Sequence, residues 1–385
     1  MTWLRGLALV MTLAMVWPMP ADAGRHLERV ALAGLAGWAA EDHGAALATF
    51  RRSCDEIRAN GRGFARPVIL GGTRDDWLAV CAVAMSARDA RSYFETEFTA
   101  LEVRDPERPA GLFTGYFEPE VRGSRSRAPG FDVPLYAVPS DLVAFDEAQA
   151  ALAGVRYGRL VDGRPQAYYT RGEIEDGALA GRGLEMAWLA DPADAFFMQV
   201  QGSGRVRLPD GQVMRLAYGL KTGLPYTSIG HLLAERGYIA REALSMQAIR
   251  AWMASHPAEA RALMRENRSF VFFREIAGGH PDLGPPGAQQ VPLTPGRSLA
   301  VDRSIWAFGT PVWLETSLVG PDGPETLRRL LVAQDTGSAI RGMARGDVFF
   351  GAGDAAAWRA GHMKSEGRMI VLLPNRLADR LLEAP

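Results

Sequence analysis

Two aspartates bracket a glycine-rich connection near the C-terminal end of this 385-residue chain. In residues 330–354, LLVAQDTGSAIRGMARGDVFFGAGD, an apolar run delivers Asp335 into a Gly/Ser turn. A second apolar run, 348–350, carries Asp347 at its mouth. Acids at strand ends sit where a groove is most easily built. A carboxyl whose pKa is raised by burial near a second acid can donate a proton to a glycosidic oxygen. Asp302, in AVDRSIWAFGTPVWLE, precedes a third strand-like run and is a candidate wall of the same groove. Any one of these acids could simply cap a turn. Three in one barrel-like segment weaken that alternative.

Asp335-Thr336-Gly337 also matches the D-T-G of aspartic proteases, where two carboxylates share a proton. That dyad needs two such loops, or a symmetric dimer. The chain has one D-T-G and no D-S-G, so the protease reading is poor. Thr336 and Gly337 are then candidate sugar contacts. A second constellation is Gln199-Val200-Gln201-Gly202-Ser203-Gly204. Alternation puts Gln199 and Gln201 on one face of a strand, and Gly202, Ser203 and Gly204 permit close approach of a ligand. Amides and bare backbone suit sugar hydroxyls and N-acetyl groups. A polar outer face with a loose turn is an equal alternative. Tyr116 and Glu118 in GYFEPE, and Tyr226 and Ser228 in LPYTSIG, repeat the aromatic–polar pattern.

Other chemistries find no support. The six histidines are scattered without metal-ligand spacing, so no metal is expected. There is no G-x-S-x-G elbow, and no G-x-G in a dinucleotide-binding context, so no cofactor is implied. Lys+Arg number 43 against 44 Asp+Glu, which gives no electrostatic case for a nucleic-acid partner.

The elements that position these residues fall into segments. Residues 1–23 read as an export signal: Arg5, an apolar core at 6–17, and Ala21-Asp22-Ala23 as a cleavage signature. The segment has no Cys for lipidation, and the mature chain is expected in an exported compartment. There Cys54 and Cys81 favour one disulfide. Residues 24–115 begin with helices. Asp42 caps one through AALATFRRSCDEIRANG, and Thr73 and Asp76 form a capping box before another. Residues 116–273 are rich in strand and turn signals, including a hairpin at Pro209-Asp210-Gly211. Helices open at Ser228 and Ser245, and another starts at Pro257. Residues 274–291 form a Gly/Pro linker. Residues 292–374 read as a compact all-β segment, and 375–385 as a tail. At 48% hydrophobic, the chain can bury a substantial core.

Taken together, TGYFEPEV, FFMQVQGSGRV, YGLKTGLPYTSIG, SMQAIRAW, NRSFVFFRE, VPLTPGRSLAVDRSIWAFGTPV and AQDTGSAIRG–GDVFFGAG resemble the membrane-bound lytic murein transglycosylase A family. The last third resembles the "3D" module, its three aspartates matched by Asp302, Asp335 and Asp347. The resemblance implies a mainly β fold with N-terminal helices: a double-psi β-barrel domain with a second, mainly β domain inserted, and a groove between them for a glycan strand. It implies non-hydrolytic cleavage of the β-1,4 bond between N-acetylmuramic acid and N-acetylglucosamine, leaving a 1,6-anhydro product. Asp347 maps to the single acid/base, with Arg345 and Gly346 where the family has histidine and phenylalanine. Asp335 is its tuning neighbour. The expected partners are peptidoglycan glycan strands, with murein synthases or scaffold proteins as candidates, and the chain is expected to be a monomer in the periplasm or beside the outer membrane. A hydrolytic muramidase and a non-catalytic, expansin-like wall-binding protein are the alternatives.

Overall fold

The computed structural model describes residues 26–106, 109–278, 280, 282–320 and 323–383. The export signal expected at 1–23 lies outside the described residues. Among the described residues no helix is long and apolar enough to cross a membrane.

Two sheets carry the fold. A nine-stranded mixed sheet draws on both ends of the chain, in the order Leu27–Arg29, Phe98–Val103, Gly367–Pro374, Pro311–Gly320, Gly323–Asp335, Ser298–Val301, Arg345–Ala352, Leu112–Glu118, Lys364–Ser365. A six-stranded sheet is built from the chain between Glu120 and Glu275, and a small three-stranded sheet joins it at Val143–Ala144, Tyr157–Val161 and Arg164–Ala167. The chain leaves the first sheet at Glu118 and enters the second at Glu120, so Pro119 is the joint. This is the two-domain arrangement expected, though the insertion is mixed rather than mainly β, its strands joined by helices such as Pro192–Gln201, Met246–Ser255 and Pro257–Glu266. The expected barrel is a curled sheet whose hydrogen-bonded ladder does not close: among the described residues no pairing joins its two edge strands.

The apolar pattern explains the layering. Met369–Pro374 is buried at every residue, on both faces of its strand. A strand covered on both sides reads as an unbroken apolar run rather than an alternation. One cover is the helical layer. Helix His43–Ala59 is capped by Asp42, whose side chain accepts from Ala45 N, and helix Arg74–Ser86 opens with the Thr73/Asp76 capping box. Both contribute to the core that holds Trp306, Trp313 and the central strands, and a disulfide joins them at Cys54–Cys81.

Three helices depart from expectation. Pro192–Gln201 is helical, so Gln199 and Gln201 do not share a strand face. Its local start and stop signals outweigh the apparent alternation: Asp191 accepts from Ala193 N, Pro192 opens the first turn, and Gly202 ends the helix at φ 79. Asp354–His362 and Asn375–Glu383 lie where strands and a tail were read. Each is short and buries few side chains: Ala356 and Ala360 in the first, Leu377, Ala378 and Leu381 in the second. So few apolar positions make a weak helical period. The Ser203–Arg207 and Val213–Lys221 strands form the expected hairpin.

Candidate active site

The curled sheet sets four residues in one row. Ala300 pairs in register with Asp335 on one side and Asp347 on the other, and Asp347 pairs in turn with Thr114. Residues level across neighbouring strands point to the same face. The two acids therefore flank a small side chain, with roughly two strand spacings, about 10 Å, between their backbones. Ala300 is buried, and its single methyl leaves the space above it to the carboxyls.

The acids differ in their surroundings. Asp335 Oδ1 accepts from Ala288 N and Thr336 N, both at 2.9 Å, and Oδ2 accepts from the Tyr116 hydroxyl at 2.8 Å. Both of its oxygens are occupied. Asp347 Oδ1 accepts from Thr114 Oγ1 at 2.6 Å, and Oδ2 has no hydrogen-bond partner among the described residues. Thr114 Oγ1 in turn accepts from Arg345 Nη2 at 2.8 Å. Both acids are half-buried. Burial pushes both carboxyls above their ordinary pKa. The hydrogen bonds, chiefly from Tyr116, oppose that shift at Asp335. At Asp347 the Arg345 guanidinium and the Thr114 hydroxyl oppose it, while the charge of Asp335 adds to it. The Tyr116 phenol is pushed well up by burial and by Asp335, so it stays a donor. Its ring lies 5.2 Å from that of Phe349.

A buried polar network fixes the Asp335 side. Gln289 N donates to Gln334 O at 3.1 Å, which holds Ala288 in place. Ser53 Oγ donates to Gln289 Oε1 at 2.8 Å and accepts from Gln334 Nε2 at 2.9 Å, and Ser298 Oγ donates to Gln334 Oε1 at 2.5 Å. Helix His43–Ala59 is thus tied to the end of the Asp335 strand.

Of the residues singled out from sequence, Asp335, Asp347, Tyr116 and Thr336 come together. Thr336 Oγ1 donates to Val301 O at 2.8 Å, and Gly337 O accepts from Ile340 N at 3.1 Å, so these two shape the turn. Gln201 is adjacent: its Oε1 accepts from Phe117 N at 3.0 Å, tying the insertion to the strand that bears Tyr116. Asp302 is buried and fully engaged elsewhere. It accepts from Ser304 N at 3.0 Å, Ser304 Oγ at 2.6 Å and Gly342 N at 3.1 Å, with Arg341 Nη1 at 3.3 Å. Burial pushes its pKa up, but these donors bring it below the ordinary value. It pins the 337–342 loop. Glu118 is enclosed against Arg205 at 2.8 Å and Arg215 at 3.4 Å. Gln199 is buried and accepts from Arg171 Nη2 at 2.6 Å. Gly202 ends its helix, while Ser203 and Gly204 begin a buried strand. Ser228 caps helix Ile229–Glu235, and Tyr226 is exposed beside it.

Thr114, Arg345 and Ala300 were missed. Thr114 stands two residues before Tyr116, and Arg345 two before Asp347, so strand alternation places each pair on one face. That signal was present. The level of Ala300 depends on register and was not.

Residues 112–274 match the family described as the MltA specific insert domain, and residues 297–373 match the 3D domain. The chain is 37% identical over 263 residues to a membrane-bound lytic murein transglycosylase A of Vibrio cholerae, a match covering 67% of this chain and 64% of that protein. The chain thus spans just under two thirds of the length of this curated relative. Among solved structures, a membrane-bound lytic murein transglycosylase from Agrobacterium tumefaciens superposes with a TM-score of 0.84 at 33% identity, covering 92% of this chain and 99% of that one. An Escherichia coli MltA with bound chitohexaose superposes with a TM-score of 0.63 at 30% identity, covering 85% and 90%.

Proposed function

Given that the chain belongs to the membrane-bound lytic murein transglycosylase A family, we propose that it cleaves the β-1,4 bond between N-acetylmuramic acid and N-acetylglucosamine of murein without water. Asp347 is the acid, then the base. Its Oδ2 carries the proton to the departing O4 of N-acetylglucosamine as the bond to C1 breaks. The C6 hydroxyl of the muramic residue attacks C1, and its proton returns to Asp347. The product is a 1,6-anhydro sugar, and the enzyme ends as it began. The attacking hydroxyl belongs to the same ring, so proximity supplies much of what a second base and a bound water would otherwise supply. Asp335 remains a carboxylate and stabilises the positive charge that grows at C1.

The observation that supports this reading is the unequal occupancy of the two acids. Asp335 has three donors on its two oxygens, whereas Asp347 keeps one oxygen for substrate. A hydrolase would need a second carboxylate free to take a proton from water, and three donors already hold Asp335. The glycan bound in the Escherichia coli relative is a sugar chain of the kind this groove would hold. The setting that fits is the periplasm, reached through the export segment at 1–23, with the protein acting there as a monomer on glycan strands.

Mass spectrometry of the products released from purified sacculi tests the proposal. The expected product is an anhydromuropeptide, one water lighter than the hydrolytic product and lacking a reducing end. A reducing-end product would make the protein a muramidase. Strand binding with no product would make it a wall-binding protein.

A further inference from the structure

Cations gather beside the acid pair, on the side of the Asp335–Ser338 turn. Lys221, the last residue of its strand in the inserted domain, donates from Nζ to Ser338 Oγ at 2.6 Å. Three residues beyond Ser338 is Arg341, 3.3 Å from Asp302. Arg303 follows Asp302 directly. Backbone hydrogen bonds of 2.9 Å from Ile69 N to Ser304 O and from Leu70 N to Ile305 O draw the 66–70 segment, with Arg66, alongside it. From the inserted domain, Arg156, Tyr157 and Gly223 join Lys221 around a cavity of about 410 Å³. Gly223 has φ +80, and a Cβ there would lie 2.9 Å from Tyr157 O, so only glycine lets these two segments approach so closely.

This arrangement collects five cations around one carboxylate. That carboxylate, Asp302, is already taken by Ser304, Gly342 and Arg341. The side chains of Arg66, Arg156 and Arg303 are exposed and have no hydrogen bond or ion pair among the described residues. Burial, then the Arg341 charge, lowers the Lys221 pKa; burial, then Arg66, lowers that of Arg303. Like charges that outnumber the carboxylates beside them repel one another, and an anion relieves that repulsion. The chain otherwise carries nearly balanced charge, so the cluster is not a general property of its surface.

We propose that this cluster, contributed by both domains, binds the free carboxylates of the stem peptides carried by the glycan strand. The proposal rests on the murein reading above and deepens it. In a peptide-bearing strand the lactyl carboxyl is tied up as an amide, so the sugars themselves offer a cation only neutral hydroxyls and amides. The peptide on each muramic lactyl group offers carboxylates, which guanidinium groups take in paired hydrogen bonds. Ser338 lies three residues past Asp335, so a peptide borne by a sugar at the acids reaches the cluster. The site therefore favours peptide-bearing strands over bare ones.

The test compares the unaltered protein with an R156Q/R303Q variant, on glycan strands bearing peptides and on the same strands stripped by an amidase, which leaves each muramic residue only its short lactyl carboxylate, held at the ring and out of reach of the cluster. The readout is the ratio of kcat/KM between the two substrates. The ratio is expected to fall at least about 10-fold in the variant, the scale of one lost charge-assisted hydrogen bond. An R156K/R303K variant should keep most of the ratio. Added salt should lower the ratio of the unaltered protein and barely move that of R156Q/R303Q. Equal ratios in the unaltered and R156Q/R303Q proteins, with both strands cleaved, overturn this inference alone. Failure of the unaltered protein to cleave either strand overturns the murein reading, and this inference with it.

Discussion

Thr114 gives its hydroxyl proton to Asp347 Oδ1 across 2.6 Å, and it cannot give that proton to Arg345 instead. Its oxygen already accepts from Arg345 Nη2 at 2.8 Å, and the Arg345 guanidinium has no lone pair with which to accept in return. A cation thus orients a neutral hydroxyl, which holds one oxygen of the acid still. The other oxygen has no hydrogen-bond partner among the described residues. The guanidinium thus acts on Asp347 in two ways: its charge opposes the rise in the acid's pKa, and through Thr114 it steadies the carboxyl's geometry.

Replacing Asp347 by Asn should lower turnover of murein by about 10²–10⁴-fold, the usual worth of positioned proton transfer. Binding of an N-acetylglucosamine oligomer should persist, because the amide keeps the shape and the Thr114 contact. Product release and strand retention on a column give the two readings. Near-normal turnover would remove Asp347 from the mechanism.

The pH profile should identify the same group. Burial raises the Asp347 pKa above its ordinary 3.8. An acid that donates its proton is lost as pH rises through that raised value, so Asp347 sets the basic limb of kcat/KM. Asp335→Asn deletes a charge that raises the Asp347 pKa, and the limb should move to lower pH. Thr114→Val deletes a donor that lowers it, and the limb should move to higher pH. Shifts of the same sign in both variants would contradict the assignment.

Stability should run against activity at these acids. A carboxyl whose folded-state pKa exceeds its unfolded value contributes stability below the unfolded pKa and loses it as pH rises through the folded one. At neutral pH the buried charge is therefore a cost. Asp347→Asn should melt a few degrees above the parent at pH 7, with the gap closing as pH falls toward the ordinary carboxylate range. Calorimetry at several pH values checks the sign.

Ser53→Ala should destabilise the protein by about 1–3 kcal/mol, because it strips partners from Gln289 and Gln334 in a site closed to water. Urea denaturation measures it. A change within a few tenths of a kcal/mol would show that the network closes over the loss.

Reducing Cys54–Cys81 should cost about 3–4 kcal/mol, as expected for a closed loop of this length. The two residues are 27 apart in sequence. Thermal melts with and without reductant give the difference.

What could be read in advance was mostly local. The caps at Asp42 and Thr73 and the Pro209-Asp210-Gly211 turn act within a few residues, and they stand where expected. Helix Pro192–Gln201 had equally local signals in Asp191, Pro192 and Gly202, which the alternation of Gln199 and Gln201 outweighed on a first reading. The acids could be named by type, but not what surrounds them. Ala300 reaches its place through strand register, and Ala288 through the backbone hydrogen bond that its neighbour Gln289 makes to Gln334. The engagement of Asp302 by Ser304 and Gly342 needed the loop geometry.

The way the nine-stranded sheet is sewn together also governs when the acid site can exist. Thr114 meets Asp347 across 233 residues of chain, and Tyr116 meets Asp335 across 219. Glu102 and Arg368, on adjacent outer strands, are 266 apart. A chain still emerging from the ribosome, or still threading through a translocation pore, holds one half of each pair and not the other. No partial chain carries a working site. By topology alone, the acid pair is therefore complete only once the last strands have arrived.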